Sequence, residues 1–119
     1  MEEDGGLRFL CLLFTSHLQH QNTILLVRTA ERLLDAGHEV CVFMIGDGVY
    51  NAFGKIGGRG TSAAAEMLRL KGAEFICCST CVSMRGGLEL AEGVRQGTLE
   101  ELAERMERAD AVLNYTGEV

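Results

Sequence analysis

Residues 7–14, LRFLCLLF, form a nearly unbroken apolar run of strand length, and this run constrains the fold more than any other feature. A strand with one wet face alternates apolar and polar residues, so a strand that does not alternate must be covered on both faces. HEVCVFMI (38–45) and AEFICC (73–78) repeat the pattern, and DAVLNYT (110–116) supplies a last strand. Between them the period turns helical. From about Asn22 to Ala36, the residues Ile24, Val27, Ala30 and Leu34 recur at three-to-four spacing, with Gly37 placed as a C-terminal cap. SAAAEMLRLKG (62–72) reads as a helix closed by Gly72. TLEELAERMERA opens with a Thr98 to Glu101 capping box and carries Leu99, Leu102, Ala103 and Met106 on one face. VYNAFGKIGGRGTS (49–62) reads as a long Gly-rich loop with one helical turn near its start.

The resulting order is βαβαβ, an irregular or short helical stretch, then αβ. It predicts the α/β class, with a mostly parallel sheet and helices on both faces. At 119 residues the chain fits a single domain over 1–119, with the acidic MEEDGG of residues 1–6 expected to fray. In open α/β sheets ligands bind beyond the carboxyl ends of the strands. That rule selects TSHLQHQN after the first strand, GDGVYNAFG after the second, and CCSTC after the third.

The third loop concentrates the chemistry. EFICCSTCVSMRGG (74–87) holds three of the five cysteines. Cys78 and Cys81 form a CxxC, with Cys78 ending a strand and Cys81 at the start of a helix over roughly 80–86. Unpaired N–H groups there favour a thiolate, so a lowered pKa is expected for at least one of the pair. Arg85, one turn on, adds positive charge or points into solvent. Cys77 alternates with Cys78 along the strand and reads as a small buried hydrophobe. Cys11 and Cys41 lie mid-strand and read as packing.

Five thiols make a poor disulfide framework, and no signal-peptide pattern or membrane-length apolar run occurs, so a soluble protein of a reducing cytoplasm is expected. In that setting clustered thiols suggest metal, redox or sulfur chemistry. A zinc site within the chain would need two further ligands at a second CxxC or HxxxH spacing, and no such spacing exists, so no metal is expected. The Cys-x5-Arg spacing of a phosphate-cradling loop is not met either, because six residues separate Cys78 from Arg85. Gly54 and Lys55 are followed by Ile56 and do not make a Walker A loop, and no cofactor motif is present. The glycines of 54–60 read as a flexible lid or an oligomer contact. The net charge of −6, with no basic run, argues against nucleic acid as a partner.

Four further residues complete the candidate set. His17 and His20 follow the first strand, where a general base or thiolate partner sits, although helix-capping surface histidines fit equally. Asp47 and Tyr50 lie on the second loop at the carboxyl edge, as pocket-shaping or turn residues. His38, in the AGHEV turn at the opposite edge, reads as structural.

With these residues in view, the chain resembles the DsrE/DsrF-like sulfur-relay family, especially its YchN-like branch. The resemblance rests on LLDAGHEVCVFMIGDGV, CSTCVSMRG and EGVRQGTLEELAERMERADAVLNY, and covers nearly the whole chain. It implies a flavodoxin-like or Rossmann-like fold, assembly into a homo-oligomer, and a loop cysteine that accepts sulfur as a persulfide and passes it on. The family's sulfur-carrying cysteine maps onto Cys78, eight positions before Gly86. Cys81 matches the second cysteine of the YchN-like branch, and tRNA-thiolation members carry a different residue there. Sulfur-donor and sulfur-acceptor proteins are the implied partners. A dithiol redox or peroxide-sensing protein using Cys78 and Cys81, and a non-catalytic oligomeric binding module, remain as alternatives.

Overall fold

The computed structural model describes residues 6–16, 21–53, 70–86 and 89–116, together with the backbone of 55–56 and 59–60. Its centre is a five-stranded, fully parallel sheet. In chain order the elements are β1 (Arg8–Leu13), α1 (Asn22–Asp35), β2 (Glu39–Met44), a 3₁₀ helix (Gly46–Ala52), β3 (Lys55–Ile56), β4 (Arg59–Gly60), β5 (Glu74–Cys78), α2 (Ser79–Met84), β6 (Val94–Gly97), α3 (Leu99–Arg108) and β7 (Ala111–Tyr115). The sheet order is β6-β5-β2-β1-β7, while β3 and β4 form a small antiparallel pair of their own.

The unbroken apolar runs behave as the burial argument requires. Successive residues of β1, β2 and β5 go to opposite faces. Cys11, Leu13, Val40, Val42, Met44, Phe75 and Cys77 pack on one face beneath α1 and the 3₁₀ helix. Leu10, Leu12, Cys41, Phe43, Ile76 and Cys78 pack on the other, against Leu102 of α3 and Val112. Helices therefore lie on both faces. The two inner layers hold most of the fully buried apolar volume and stabilise the fold by the usual transfer of apolar surface from water.

The structure corrects four expectations. α1 turns Val27, Ala30 and Leu34 of its expected face inward, but at its start Thr23 and Leu26 are buried while Ile24 is 57% exposed. The cause is polar: the Thr23 hydroxyl donates to the buried Asn51 Oδ1 at 2.6 Å, which draws position 23 inward. The Gly-rich segment, expected as a long loop with one helical turn near its start, does open helically, but the turn is a 3₁₀ helix that begins earlier, at Gly46, with Gly48, Val49, Asn51 and Ala52 buried, and the β3/β4 pair follows it. Residues 61–69, most of the helix expected over 62–72, lie outside the described residues, as do Gly54, Gly57 and Gly58. VRQG (94–97), read as part of an irregular stretch, is the edge strand β6.

The fourth correction concerns α3. Thr98 Oγ1 does accept from the Glu101 N–H at 3.1 Å, but the Glu101 carboxylate turns to Arg95 and leaves the expected reciprocal half of the box unmade. Arg105 grips Glu74 through two parallel bonds of 2.6 and 2.8 Å, so an ion-pair network ties α3 to β5 and β6. No residue of α3 is fully buried, and Leu99 (56%) and Met106 (45%) of its expected apolar face are open. A ten-residue helix is about 15 Å long, and β6 to β7 spans four strand gaps of about 4.8 Å each. α3 therefore carries the chain from one sheet edge to the other and covers that face thinly.

Candidate functional site: a thiol pair at the carboxyl edge

β5 ends at Cys78, which is also the N-cap of α2, with extended backbone (φ −66, ψ 120). The strand's alternation sends Cys77 and Cys78 to opposite faces, as their adjacency in a strand requires. Three residues later, inside α2, Cys81 lies at the sheet edge in contact with both apolar layers. All five cysteines are free thiols. Cys78 and Cys81 are neighbours in the same apolar layer, close enough for the charge of one to act on the other. Cys78 is 2% exposed, and Cys81 is half-buried.

The loop after β2 closes over Cys81. The Gly46 N–H donates to Cys81 Sγ at 3.3 Å. Gly46 has φ +59, a left-handed conformation that a side-chain-free residue adopts without strain. Arg85 forms the second tie. Its Nη1 donates to the Cys81 carbonyl at 3.0 Å, its Nη2 to Asp47 Oδ1 at 2.7 Å, and its guanidinium stands 5.7 Å from the centre of the Tyr50 ring. Arg85 is thus a held cation beside the thiols, not a free surface side chain. Cys78, Cys81, Arg85, Asp47 and Tyr50 meet in one place. His17 and His20 lie outside the described residues. His38 is at the opposite edge, where its Nδ1 accepts from the Leu7 N–H and its ring meets Phe9 edge-on.

Reading the sequence missed two contributors. Gly46 was visible only as part of the GDG that ends β2, with nothing to mark its N–H as a sulfur donor. Asn51 is fully buried and joins three elements: its Nδ2 donates to the carbonyls of Thr15 and Gly48, both at 2.9 Å, and its Oδ1 accepts from Thr23. One amide side chain so fixes the 3₁₀ helix against β1 and α1, and with it the ledge bearing Gly46, Asp47 and Tyr50. A buried Asn within a Gly-rich segment carries no pattern that separates it from an exposed turn Asn.

At Cys81 the electrostatics run against a lowered thiol pKa. Burial pushes the Cys81 thiol above its ordinary value, the Gly46 N–H opposes that, the neighbouring Cys78 adds to it, and Arg85 lowers it in smaller measure. Burial is also why Cys11 and Cys77 are pushed up to about 11 and Cys41 to about 12. A raised pKa leaves less thiolate at neutral pH, so reactivity should climb as the pH rises toward the thiol's own value. Among Cys11, Cys41, Cys77 and Cys81, iodoacetamide at mildly alkaline pH is expected to label Cys81 first in the native protein. Peptide mapping that finds Cys41 or Cys77 labelled ahead of Cys81 would contradict this geometry.

A cavity of about 430 Å³ lies elsewhere, at the amino edge of the sheet, with Arg8, Glu39, Cys41, Glu74, Arg105 and Arg108 among its lining. It does not include the thiol pair. The pair is also displaced from the topological switch beside β1, whose two neighbours are β2 and β7, and sits instead past the ends of β2 and β5. Among the described residues, no group of three or more His, Cys, Asp or Glu side chains is placed to hold a metal ion. Within them, no helix is long and apolar enough to cross a membrane.

Comparison with known proteins agrees with this architecture. The family model described as DsrE/DsrF-like family matches residues 9–115. The crystal structure of the ychN protein from E. coli superposes with a TM-score of 0.79 at 25% sequence identity, covering 92% of this chain and 99% of that one. A protein of unknown function from Methanobacterium thermoautotrophicum, MTH1491, gives a TM-score of 0.77 at 16% identity with the same coverage, a likeness of fold. Among curated proteins, no relative matches.

Proposed function

The chain belongs to the DsrE/DsrF-like family, in its YchN-like branch, and on that premise we propose that it carries sulfane sulfur as a persulfide on Cys78 and yields it to an acceptor thiol. The observation that carries this reading is the placement of Cys78 and Cys81 side by side at the carboxyl edge, beside the Arg85 cation that Asp47 holds. Sulfur transfer of this kind is thiol exchange with the outer sulfur as cargo. A thiolate takes the outer sulfur of a donor persulfide, the donor leaves as a thiol, and an acceptor thiolate later repeats the exchange. No electrons are gained or lost, so neither a metal nor an organic cofactor enters the reaction.

Burial gives Cys78 a second qualification. A persulfide is lost readily to passing thiols, and a sulfur held on a thiol with 2% exposure is screened from them. Cys77, on the opposite face and donating weakly to the Arg95 carbonyl at 3.6 Å, plays no part. The partners are protein or small-molecule persulfides on the donor side and thiols on the acceptor side. The protein works in the cytoplasm as a homo-oligomer, without nucleic acid or membrane.

The nearness of the two thiols favours one competing reading, in which attack on the inner sulfur releases sulfide and closes a Cys78–Cys81 disulfide, making the protein a dithiol redox device or sensor. Incubation with a cysteine desulfurase and cysteine, followed by gel filtration and mass spectrometry, separates the two. The carrier retains the mass of one sulfur atom on the Cys78 peptide, and Cys78→Ser retains none. Sulfur retained equally by Cys78→Ser would refute the assignment.

A further inference from the structure

Cys78 and Cys81 are unequal in a way that the carrier reading alone does not use. The thiol assigned to hold sulfur is 2% exposed, closed in among Leu10, Leu12, Phe43 and Ile76. A persulfide on another protein would have to push its own cysteine into that layer to reach it. Cys81 is half-buried and reaches the sheet edge. It is also the thiol to which the fold supplies a donor, because the Gly46 N–H is aimed at its Sγ. Arg85 is fixed on the same helix turn by Cys81's own carbonyl and by Asp47. An N–H donor and a held cation are the groups that stabilise negative charge on sulfur, whether as attacking thiolate or as leaving group.

Resting on the carrier reading, we propose that Cys81 is the port through which sulfur enters and leaves, and that Cys78 is the store to which Cys81 hands it. In the first step Cys81 sulfur attacks the outer sulfur of the donor persulfide R–S–SH. The donor S–S bond breaks, a Cys81–S–SH bond system forms, and the proton from Cys81 ends on the departing R–SH. In the second step Cys78 sulfur attacks that same outer sulfur. The Cys81 S–S bond breaks, Cys78–S–SH forms, and the Cys78 proton ends on the departing Cys81 thiol beside it. Each step exchanges one S–S bond for another, so no oxidant or reductant is needed. Release runs through the same two steps in reverse, with the acceptor thiol meeting Cys81.

The relay assigns Gly46 a positioning role. Its N–H serves Cys81 when that sulfur carries charge, and it does so only while Gly46 holds its left-handed backbone. It also selects the donor: a persulfide on a side chain or short arm able to touch the carboxyl edge, with no need to enter the core.

Rapid-quench mass spectrometry with a persulfide-loaded cysteine desulfurase as donor tests the order of transfer. Wild type should show sulfur on Cys81 before Cys78. Cys78→Ser should acquire sulfur on Cys81 at the wild-type initial rate and then fail to keep it. Cys81→Ser and Cys81→Ala, checked for native thermal unfolding, should load Cys78 at least about tenfold more slowly, since the accessible attacking thiol is gone. Loading of Cys78 at an unchanged rate in both Cys81 variants overturns the relay and leaves the carrier reading intact. A wild type that gains no sulfur on either cysteine overturns both. Loss of two hydrogens with release of sulfide overturns the hand-off, because the inner sulfur was then the one attacked.

Discussion

Gly48→Ala is expected to destabilise the protein by about 3 kcal/mol, the upper range for forcing added atoms into a packed interior. A Cβ at position 48 would lie 1.9 Å from the Leu13 carbonyl oxygen and 2.7 Å from its carbon. Those atoms end β1, a strand paired on both sides, so they cannot move as a side chain would. Either the last residues of β1 or the whole 3₁₀ helix must shift. A loss of that size corresponds to a fall in Tm of roughly 10 °C for a chain of this length. Gly48 has no positive φ, so the requirement is for space alone and serine should be no better tolerated. A thermal or urea unfolding transition within experimental error of wild type would show that the 3₁₀ helix does not seat against β1 in this way.

Asn51→Ala tests the other support of the same ledge and is expected to lower stability by about 3 kcal/mol, because removing one partner strands buried polar groups. The substitution leaves the carbonyls of Thr15 and Gly48 and the hydroxyl of Thr23 without the Asn51 amide, inside a fully buried position. Its effect should reach the thiols. With the amide gone, the ledge carrying Gly46 and Asp47 loosens, Cys81 loses its N–H donor for part of the time, and its alkylation should accelerate as cover is lost. A variant with wild-type stability and unchanged Cys81 labelling would remove Asn51 from the account of the site.

These two residues also mark where the sequence stopped being readable. β1, β2, β5 and β7 were legible because burial on both faces writes a continuous apolar run, and the opposite facing of Cys77 and Cys78 follows from strand geometry alone. β6 was not, since an edge strand of sequence VRQG is held by backbone pairing to β5 and shows no apolar pattern. Of the 3₁₀ helix only one turn was legible, because its glycines masked where it begins. Gly46 and Gly48 signal loop in a sequence, whereas here one supplies a left-handed N–H and the other makes room for β1. The outward turn of Ile24 at the start of α1 goes with the Thr23 to Asn51 bond, which hydrophobic periodicity does not register. For the site, spacing placed Cys78, Cys81 and Arg85 near one another. The pairing of Arg85 with Asp47, and the contact of Gly46 with Cys81, join residues 38 and 35 positions apart and needed the fold.

The energetic picture of the site is of a Cys81 thiol kept quiet. Burial raises Cys81 and the neighbouring Cys78 adds to that, while Gly46 and Arg85 act in the other direction. Such a balance suits a carrier, which must not lose its cargo to every thiol it meets. Asp47 is one of three ties on Arg85, with the Cys81 carbonyl and the Tyr50 ring, that keep its charge beside Cys81. The central claim is that this pair moves sulfur without changing its oxidation state. Intact-mass measurement on wild type after one equivalent of persulfide donor decides it: a gain of one sulfur atom retained through gel filtration and located on Cys78 is the predicted result, and a loss of two hydrogens with free sulfide in the filtrate would contradict it.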